Sequence, residues 1–164
     1  MKAGDTVLVD TNVIIEGHIQ SCWAALTGAY RVETVETCVV EAMTGRHDWC
    51  QTKPTEADLR ASLAAIHKPT MTEIARVMLT GGALLDPGER DLWAHALGRS
   101  DTWILCGPDR ASMRFGYEQK QRERLVSLGG LLKAINFRTR QALRDHFEEP
   151  WLDELMRKLV LGIL

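Results

Sequence analysis

Residues 6–12 read Thr6-Val7-Leu8-Val9-Asp10-Thr11-Asn12, and this stretch decides the fold. Its first four residues are β-branched or apolar without alternation, which is typical of a strand buried on both faces of a parallel sheet. Apolar residues then recur at helical spacing at Ile15, Ile19, Cys22, Trp23 and Leu26, and the helix is expected to end at Gly28. Asp10 is therefore predicted to lie where a central strand gives way to a helix.

The rest of the chain continues this alternation of strand and helix. Further strands are predicted at 30–35, 102–106 and 125–128, and helices at 37–43, 55–66, 72–79 and 86–97, with a polar loop at 46–54. This order predicts an α/β fold with three α/β/α layers and a central parallel sheet of four to five strands. We expect residues 1–136 to form this unit and residues 137–164 to form a C-terminal helical extension packed on it.

Composition places the chain among globular proteins, with 164 residues, 45% hydrophobic and 26% charged. Its four cysteines form no C-x-x-C pair, which fits a reducing compartment and argues against a zinc site. No apolar run approaches the ~20 residues of a membrane span, and the N-terminus does not resemble a signal peptide. The expected location is the cytoplasm, with no membrane partner.

Charge is distributed unevenly along the chain. The net charge is −2, but residues 110–144 hold 9 basic and 2 acidic residues. A basic block in a slightly acidic chain is expected where one face meets phosphates. A solvated helix surface would give the same composition.

Of four candidate carboxylates, Asp10 and Asp109 are predicted to point into the same crevice, whereas sheet geometry dictates the place of Glu89 less directly. Asp10 and Asp109 each follow a predicted strand, Glu41 lies on the helix after the second strand, and Glu89 begins the helix at 86–97. Ligand sites of parallel sheets form beyond the carboxyl ends of the strands. Carboxylates gathered without basic partners need a cation to stay ionised, and oxygen ligands select Mg²⁺ or Mn²⁺.

Each of these acids also has a structural interpretation. Asp86-x-x-Glu89 is a capping-box pattern, Pro108-Asp109 is common turn chemistry, and Glu41 alone could be a solvated helix residue. Asp10 is the hardest to explain in this way, because it ends an apolar strand without an obvious partner. The metal hypothesis therefore depends on the four acids together.

Four segments, in order, resemble the motifs of PIN-domain ribonucleases, a family that includes the toxins of bacterial toxin–antitoxin pairs. They are Val9-Asp10-Thr11-Asn12-Val13-Ile14-Ile15, Val35-Glu36-Thr37-Cys38-Val39-Val40-Glu41, Leu85-Asp86-Pro87-Gly88-Glu89-Arg90-Asp91-Leu92-Trp93-Ala94-His95-Ala96-Leu97 and Ile104-Leu105-Cys106-Gly107-Pro108-Asp109-Arg110. The third is similar to the subgroup with a Gly-Glu pair. The resemblance covers about residues 5–135. It departs from the family in the last motif, where many members carry a Thr-x-Asp tail.

The resemblance implies a PIN fold and an endoribonuclease that uses Mg²⁺ or Mn²⁺ and leaves a 5′-phosphate and a 3′-hydroxyl. Its metal ligands would be Asp10, Glu41, Glu89 and Asp109, with Thr11 or Asn12 orienting Asp10. Asp91 and Asp86 are rivals for the third ligand position. The partners implied are RNA and a small antitoxin protein. A homodimer is a further hypothesis, since the final apolar helix could pack on the sheet, on a second copy or on an antitoxin.

Basic residues directly after the last acidic motif are the candidates for holding an RNA backbone: Arg110, Arg114, Lys120, Arg122 and Arg124. His95, Trp93, Trp103 and Trp151 are interpreted as packing residues. The alternative function is a catalytically degenerate PIN-like module that binds RNA or a protein. A small-molecule phosphatase is a third hypothesis, but the chain has neither a G-x-S-x-G nor a P-loop motif.

Overall fold

The computed structural model describes residues 2–45 and 53–164. Within them, five parallel strands form one sheet in the order β3-β2-β1-β4-β5. The strands are β1 (Thr6–Val9), β2 (Arg31–Val35), β3 (Ala65–His67), β4 (Ile104–Cys106) and β5 (Leu125–Val126). Helices flank the sheet, and this confirms the predicted three-layer α/β architecture with a parallel sheet.

Nine α-helices lie within the same described ranges. They are α1 (Thr11–Ile19), α2 (Trp23–Ala29), α3 (Glu36–Thr44), α4 (Glu56–Ser62), α5 (Met71–Leu79), α6 (Pro87–Gly98), α7 (Arg110–Glu118), α8 (Leu128–Ala134) and α9 (Glu149–Leu161). Single turns of 3₁₀ helix occur at Gly82–Leu84, Arg122–Arg124 and Asp145–Phe147.

Strand β1 is the centre of the sheet. Leu8 pairs in register with Glu33 of β2 on one side and with Leu105 of β4 on the other. Val7, Leu8 and Val9 are at most 1% exposed, as the continuous apolar run predicts. The chain fills the sheet outward from β1 to β3 and then returns to β4, so the strand order reverses between β1 and β4. The carboxyl ends of these two strands are where an open parallel sheet forms its crevice.

Two predicted helices differ from the structure. The helix predicted over 55–66 ends at Ser62, and residues 65–67 form β3, beginning where the Ala64 amide donates to Val32 O at 2.8 Å. A strand of three residues is too short to show alternation in the sequence. The first predicted helix divides into α1 and α2 at Ser21, whose φ of 54° is left-handed. The loop predicted over 46–54 lies mostly outside the described residues.

The C-terminal extension contributes to the same core. Helix α9 contacts α7 and α8, and Phe147, Leu152 and Leu155 are buried in the main hydrophobic cluster. This packing explains why Leu152 and Leu155 follow a helical period. Among the helices of the described ranges, none has the length and apolarity that crossing a membrane requires.

Three of the four cysteines, Cys22, Cys38 and Cys106, are buried free thiols, as predicted. Cys50 lies outside the described residues. Trp93 and Trp103 are buried, as their assignment to the core predicts, and Trp151 is half-buried.

Candidate metal centre

Asp10 is the most deeply buried of the predicted ligands, with 2% of the residue exposed. It follows β1 directly and is the N-cap of α1, where its Oδ1 accepts the Val13 amide at 2.8 Å. Oδ2 is buried and accepts no hydrogen bond within the described part of the chain. Capping therefore accounts for only half of this carboxylate, and the other oxygen remains available to a ligand.

The backbone of the neighbouring strand approaches the orphaned oxygen. Gly107 directly follows β4, and a Cβ added to it would lie 3.2 Å from Asp10 Oδ2. A side chain at this position would crowd the carboxylate. The glycine between β4 and Asp109 thus leaves space beside the buried Asp10 Oδ2 on the β4 side.

Glu41 is held between two other elements of the sheet edge. Thr11 donates its hydroxyl to Glu41 Oε2 at 2.7 Å, and the Gly88 amide donates to Oε1 at 2.9 Å. A Cβ at Gly88 would collide with Glu41 Oε2. The glycine before Glu89 therefore lets α6 approach α3. Thr11 orients Glu41 in the structure, whereas the resemblance implied that Thr11 or Asn12 would orient Asp10.

Glu89 closes the N-terminus of α6 and also belongs to the acidic group. It completes a capping box with Asp86, whose amide donates to Glu89 Oε2 at 3.3 Å. Burial raises the pKa of Glu89 to about 8, and repulsion from Asp109 and Asp10 adds to the effect. The capping interpretation is correct, but it does not separate Glu89 from the other acids.

Asp109 caps α7 through one oxygen. Oδ1 accepts the amides of Ala111 at 2.6 Å and Ser112 at 3.1 Å. The turn interpretation made from the sequence is therefore correct as well. Asp109 nevertheless repels Asp10 and Glu89 electrostatically, which places its carboxylate beside theirs.

The electrostatic cost of the group falls on Asp10 and Glu89. The pKa of Asp10 is raised to about 7, mainly by burial and in smaller part by repulsion from Asp109 and Glu41, while the hydrogen bond from Val13 opposes the rise. Within residues 2–45 and 53–164, no Lys, Arg or His forms an ion pair with Asp10, Glu89 or Asp109. A cation bound here would favour the ionised carboxylates and lower the pKa values of Asp10 and Glu89.

The carboxylate oxygens of the predicted acids are farther apart than the ligand atoms of a site in which protein atoms alone surround the ion. In the described residues, the group of possible ligand atoms found within 4.8 Å of one another is Glu33, His67 and His95, and no such group contains three of the four predicted acids. Mg²⁺ commonly keeps several waters and binds through one or two carboxylates. The residues fit such a water-rich site, in which Asp10 Oδ2 would contact the ion or its hydration shell.

The Glu33 group is already neutralised within the protein. Glu33 Oε2 accepts Arg99 Nη1 at 2.7 Å and lies 2.8 Å from His67 Nε2, and Arg31 Nε donates to Oε1 at 3.1 Å. Arg99 Nη1 is also 2.9 Å from His95 Nε2, so a guanidinium nitrogen occupies the position between the ligand atoms. We interpret this group as a structural ion-pair network.

The supporting residues predicted from sequence divide into two sets. Asn12 is exposed and lines a groove of about 320 Å³ together with Thr11, Glu41, Thr44, Gly45 and Asp86. Asp91 points elsewhere, because its Oδ2 accepts the Thr37 hydroxyl at 2.5 Å and Arg90 lies 3.5 Å from its Oδ1. Glu89 rather than Asp91 is therefore the acid that the structure brings to Asp10.

The predicted basic residues are also divided. Arg110 and Arg114 are exposed on the first turns of α7, beside Asp109. The other three follow the C-terminal end of α7 and precede β5, so they lie at the end of the sheet where the strands begin. They are Lys120, Arg122 and Arg124. Arg124 donates to Trp103 O at 3.1 Å and stacks on the Trp103 ring at 4.6 Å. The structure does not bring these last three to the acidic group.

Other residues near the acids were missed in the sequence. Arg144, His146 and Trp151 line a groove with Asp109, although they belong to the extension in which no motif was identified. The excess of basic residues between 110 and 144 was the available signal. It gave no indication that Arg144, at the end of the block, returns to the acidic edge.

Comparisons with known proteins add no relatives. The chain matches no protein-family model, no curated protein and no solved structure.

Proposed function

We propose that the chain is a Mg²⁺- or Mn²⁺-dependent endoribonuclease of the PIN type, with Asp10 as its central ligand. The observation that carries the proposal is the buried Asp10 Oδ2, which accepts no hydrogen bond in the described residues while neighbouring carboxylates repel it. Leaving such a carboxylate uncompensated is costly, and a divalent cation would relieve the cost.

The chain's own residues would position the reaction. Asp10, Glu89 and Asp109 would hold the ion, directly or through waters, and Glu41 would be fixed beside them by Thr11 and Gly88. When bound, the ion polarises a phosphoryl oxygen and lowers the pKa of water. Arg110 and Arg114 lie beside Asp109 and would attract the RNA backbone.

Cleavage of a labelled RNA pool with Mg²⁺ or Mn²⁺ tests the proposal. Asp10→Asn keeps the cap on Val13 but removes the charge, so we expect activity to fall by about 100-fold or more. Asp153→Asn is the matched control, since it makes the same change at an exposed position on α9. Equal activity of wild type and Asp10→Asn would rule out catalysis at this group.

One observation favours a non-catalytic PIN-like module as the second candidate. Glu89 and Asp109 both cap helices, and the acids do not form a closed set of ligands within 4.8 Å in the described ranges. A module of this kind would bind RNA without cleaving it and would bind Mn²⁺ weakly. RNA binding in EDTA combined with no cleavage in either metal would favour it.

The motif resemblance extends the proposal to a toxin of a toxin–antitoxin pair. Induced expression of the wild-type chain should then arrest growth of a bacterial host, while Asp10→Asn should not. Co-expression with the protein encoded by a neighbouring gene should restore growth if that protein is the antitoxin. Growth that is unaffected by a catalytically active chain would contradict the toxin role.

A further inference from the structure

A groove of about 320 Å³ extends from the acidic group toward the C-terminal extension. We call it the basic groove, and it is lined by Asn12, Pro108, Asp109, Arg110, Arg144, His146 and Trp151. Asn12 also lines the groove that contains Glu41 and Asp86. Asn12 therefore lies at the border of both grooves.

Arg144 is fixed at the wall of the basic groove by a buried acid. Its Nε and Nη2 donate to Glu16 Oε2 at 2.9 and 2.6 Å, and Glu16 is only 1% exposed. The Arg144 side chain is nevertheless 55% exposed. Because Glu16 already orders the guanidinium, less conformational entropy is lost when Arg144 contacts a ligand.

The same groove offers a second cation and an aromatic side chain. Arg110 is exposed at the start of α7, and Trp151 is half-buried at the start of α9. Two arginines with an aromatic ring are suited to a nucleotide, since the guanidinium groups bind phosphate and the ring stacks on a base. Bases can stack in this way only when they are unpaired.

We propose that the basic groove binds the nucleotide next to the scissile phosphate of a single-stranded RNA. Arg110 and Arg144 contact its phosphate, and Trp151 stacks on its base. This inference rests on the proposed nuclease function, because the acidic group defines where the scissile phosphate lies. It assigns the C-terminal extension a direct part in substrate binding.

Anisotropy of a labelled single-stranded RNA in EDTA tests this binding without turnover. Arg144→Ala and Trp151→Ala should each weaken binding about tenfold, and Trp151→Phe should recover most of that loss. The slope of log Kd against log salt should fall by about one for Arg144→Ala and stay unchanged for Trp151→Ala. Arg157→Ala is the matched control, because Arg157 is 62% exposed and paired with Glu154.

A second variant separates binding from stability. Arg144→Ala leaves the buried Glu16 without its guanidinium, so Glu16→Gln combined with Arg144→Ala removes both charges of the pair. This double variant should melt close to wild type and still bind about tenfold more weakly. Binding within twofold of wild type for the double variant and Trp151→Ala would overturn the inference, as would equal competition by an RNA duplex.

The RNA cleavage assay shows whether a negative result contradicts the groove inference or the nuclease proposal. If wild type cleaves, Asp10→Asn does not and the groove variants bind normally, the groove inference alone fails. If no protein cleaves but the groove variants weaken binding, the basic groove binds RNA with no scissile phosphate beside it, and the nuclease proposal fails.

Discussion

Glu33 and Asp10 lie on or directly after neighbouring strands and are equally buried, at 2% exposure, but their surroundings are opposite. Burial acts to raise the pKa of Glu33, but hydrogen bonds from His67 and Arg99 outweigh it and hold that pKa below its usual value. Burial raises the pKa of Asp10 to about 7, and the nearby acids add to the rise. The difference lies in the partners, so burial alone does not identify a metal ligand.

Close spacing of possible ligand atoms does not by itself identify a metal site. Glu33, His67 and His95 have the closer spacing, but Arg99 already supplies their positive charge. Asp10, Glu89 and Asp109 are more widely spaced and form no ion pair within the described residues. Helix capping uses only Oδ1 of Asp10 and leaves Oδ2 without a hydrogen bond. A buried acid with a strongly perturbed pKa and an unused oxygen is the better candidate for function.

The largest effect is expected from removing the cation of the Glu33 network. Arg99→Ala should destabilise the protein by about 2–4 kcal/mol, because Glu33 would stay buried with only His67 and Arg31 as partners. Urea unfolding at pH 7 measures this cost. Arg157→Ala, at an exposed ion pair, should leave the midpoint unchanged. A loss below 1 kcal/mol would mean that Glu33 does not depend on Arg99.

The opposite sign is expected at Asp10 in metal-free protein. Its pKa is 3.8 as an ordinary carboxyl and about 7 when folded, so between these values the folded state binds the proton more tightly. Stability from this group is therefore lost as pH rises from about 4 to 7. At pH 8 in EDTA, Asp10→Asn should stabilise the protein by about 1–3 kcal/mol.

Thermal unfolding between pH 5 and pH 8 measures that difference. The advantage of Asp10→Asn over wild type should grow with pH and should shrink when Mg²⁺ is added to the wild type. An advantage that is the same at both pH values would show that Asp10 does not titrate in this window.

The sequence predicts Asp10 better than Glu33 for a physical reason. Asp10 ends a continuous apolar run, so its burial and lack of a local partner are both visible within residues 6–12. Glu33 looks like one polar residue of an alternating strand, and its partner Arg99 is 66 positions away. Propensity and periodicity report local geometry, whereas an ion pair across the fold depends on tertiary packing.

The same limit explains the errors at the site. The strand-end rule brings Asp10 and Asp109 to one edge correctly, because parallel strands share their polarity. It does not predict that Arg144 pairs with Glu16, which is 128 positions away in the sequence. Nor does it predict that Arg124 lies at the opposite end of the strands, where it donates to Trp103 O. The excess of basic residues in 110–144 could be predicted from the sequence, but the end of the sheet at which each basic side chain lies could not.

The third expected effect is on metal affinity. Calorimetric titration at pH 7.5 should show Mn²⁺ binding to wild type and a loss of tenfold or more in Asp10→Asn, since the variant lacks the carboxylate with the orphaned oxygen. His67→Gln, within the Glu33 network, should bind Mn²⁺ as wild type does. Loss of Mn²⁺ binding in His67→Gln but not in Asp10→Asn would reverse the roles assigned to the two regions.

The smallest effect is expected at Asp91. Its charge is less well paired than that of Glu33 but better paired than that of Asp10. Asp91 is 8% exposed, and its Oδ2 accepts the Thr37 hydroxyl. Its Oδ1 accepts no hydrogen bond within the described residues but lies 3.5 Å from Arg90, so it has an ion-pair partner that Asp10 Oδ2 lacks. An amide at this position can still accept from Thr37, so Asp91→Asn should change Mn²⁺ affinity by less than threefold. Glu89→Gln should weaken it more, because Glu89 interacts with Asp10 and Asp109. If Asp91→Asn weakens Mn²⁺ binding more than Glu89→Gln does, Asp91 is the third ligand. A metal ligand could then also be an acid with a weak ion pair, and not only an acid without one.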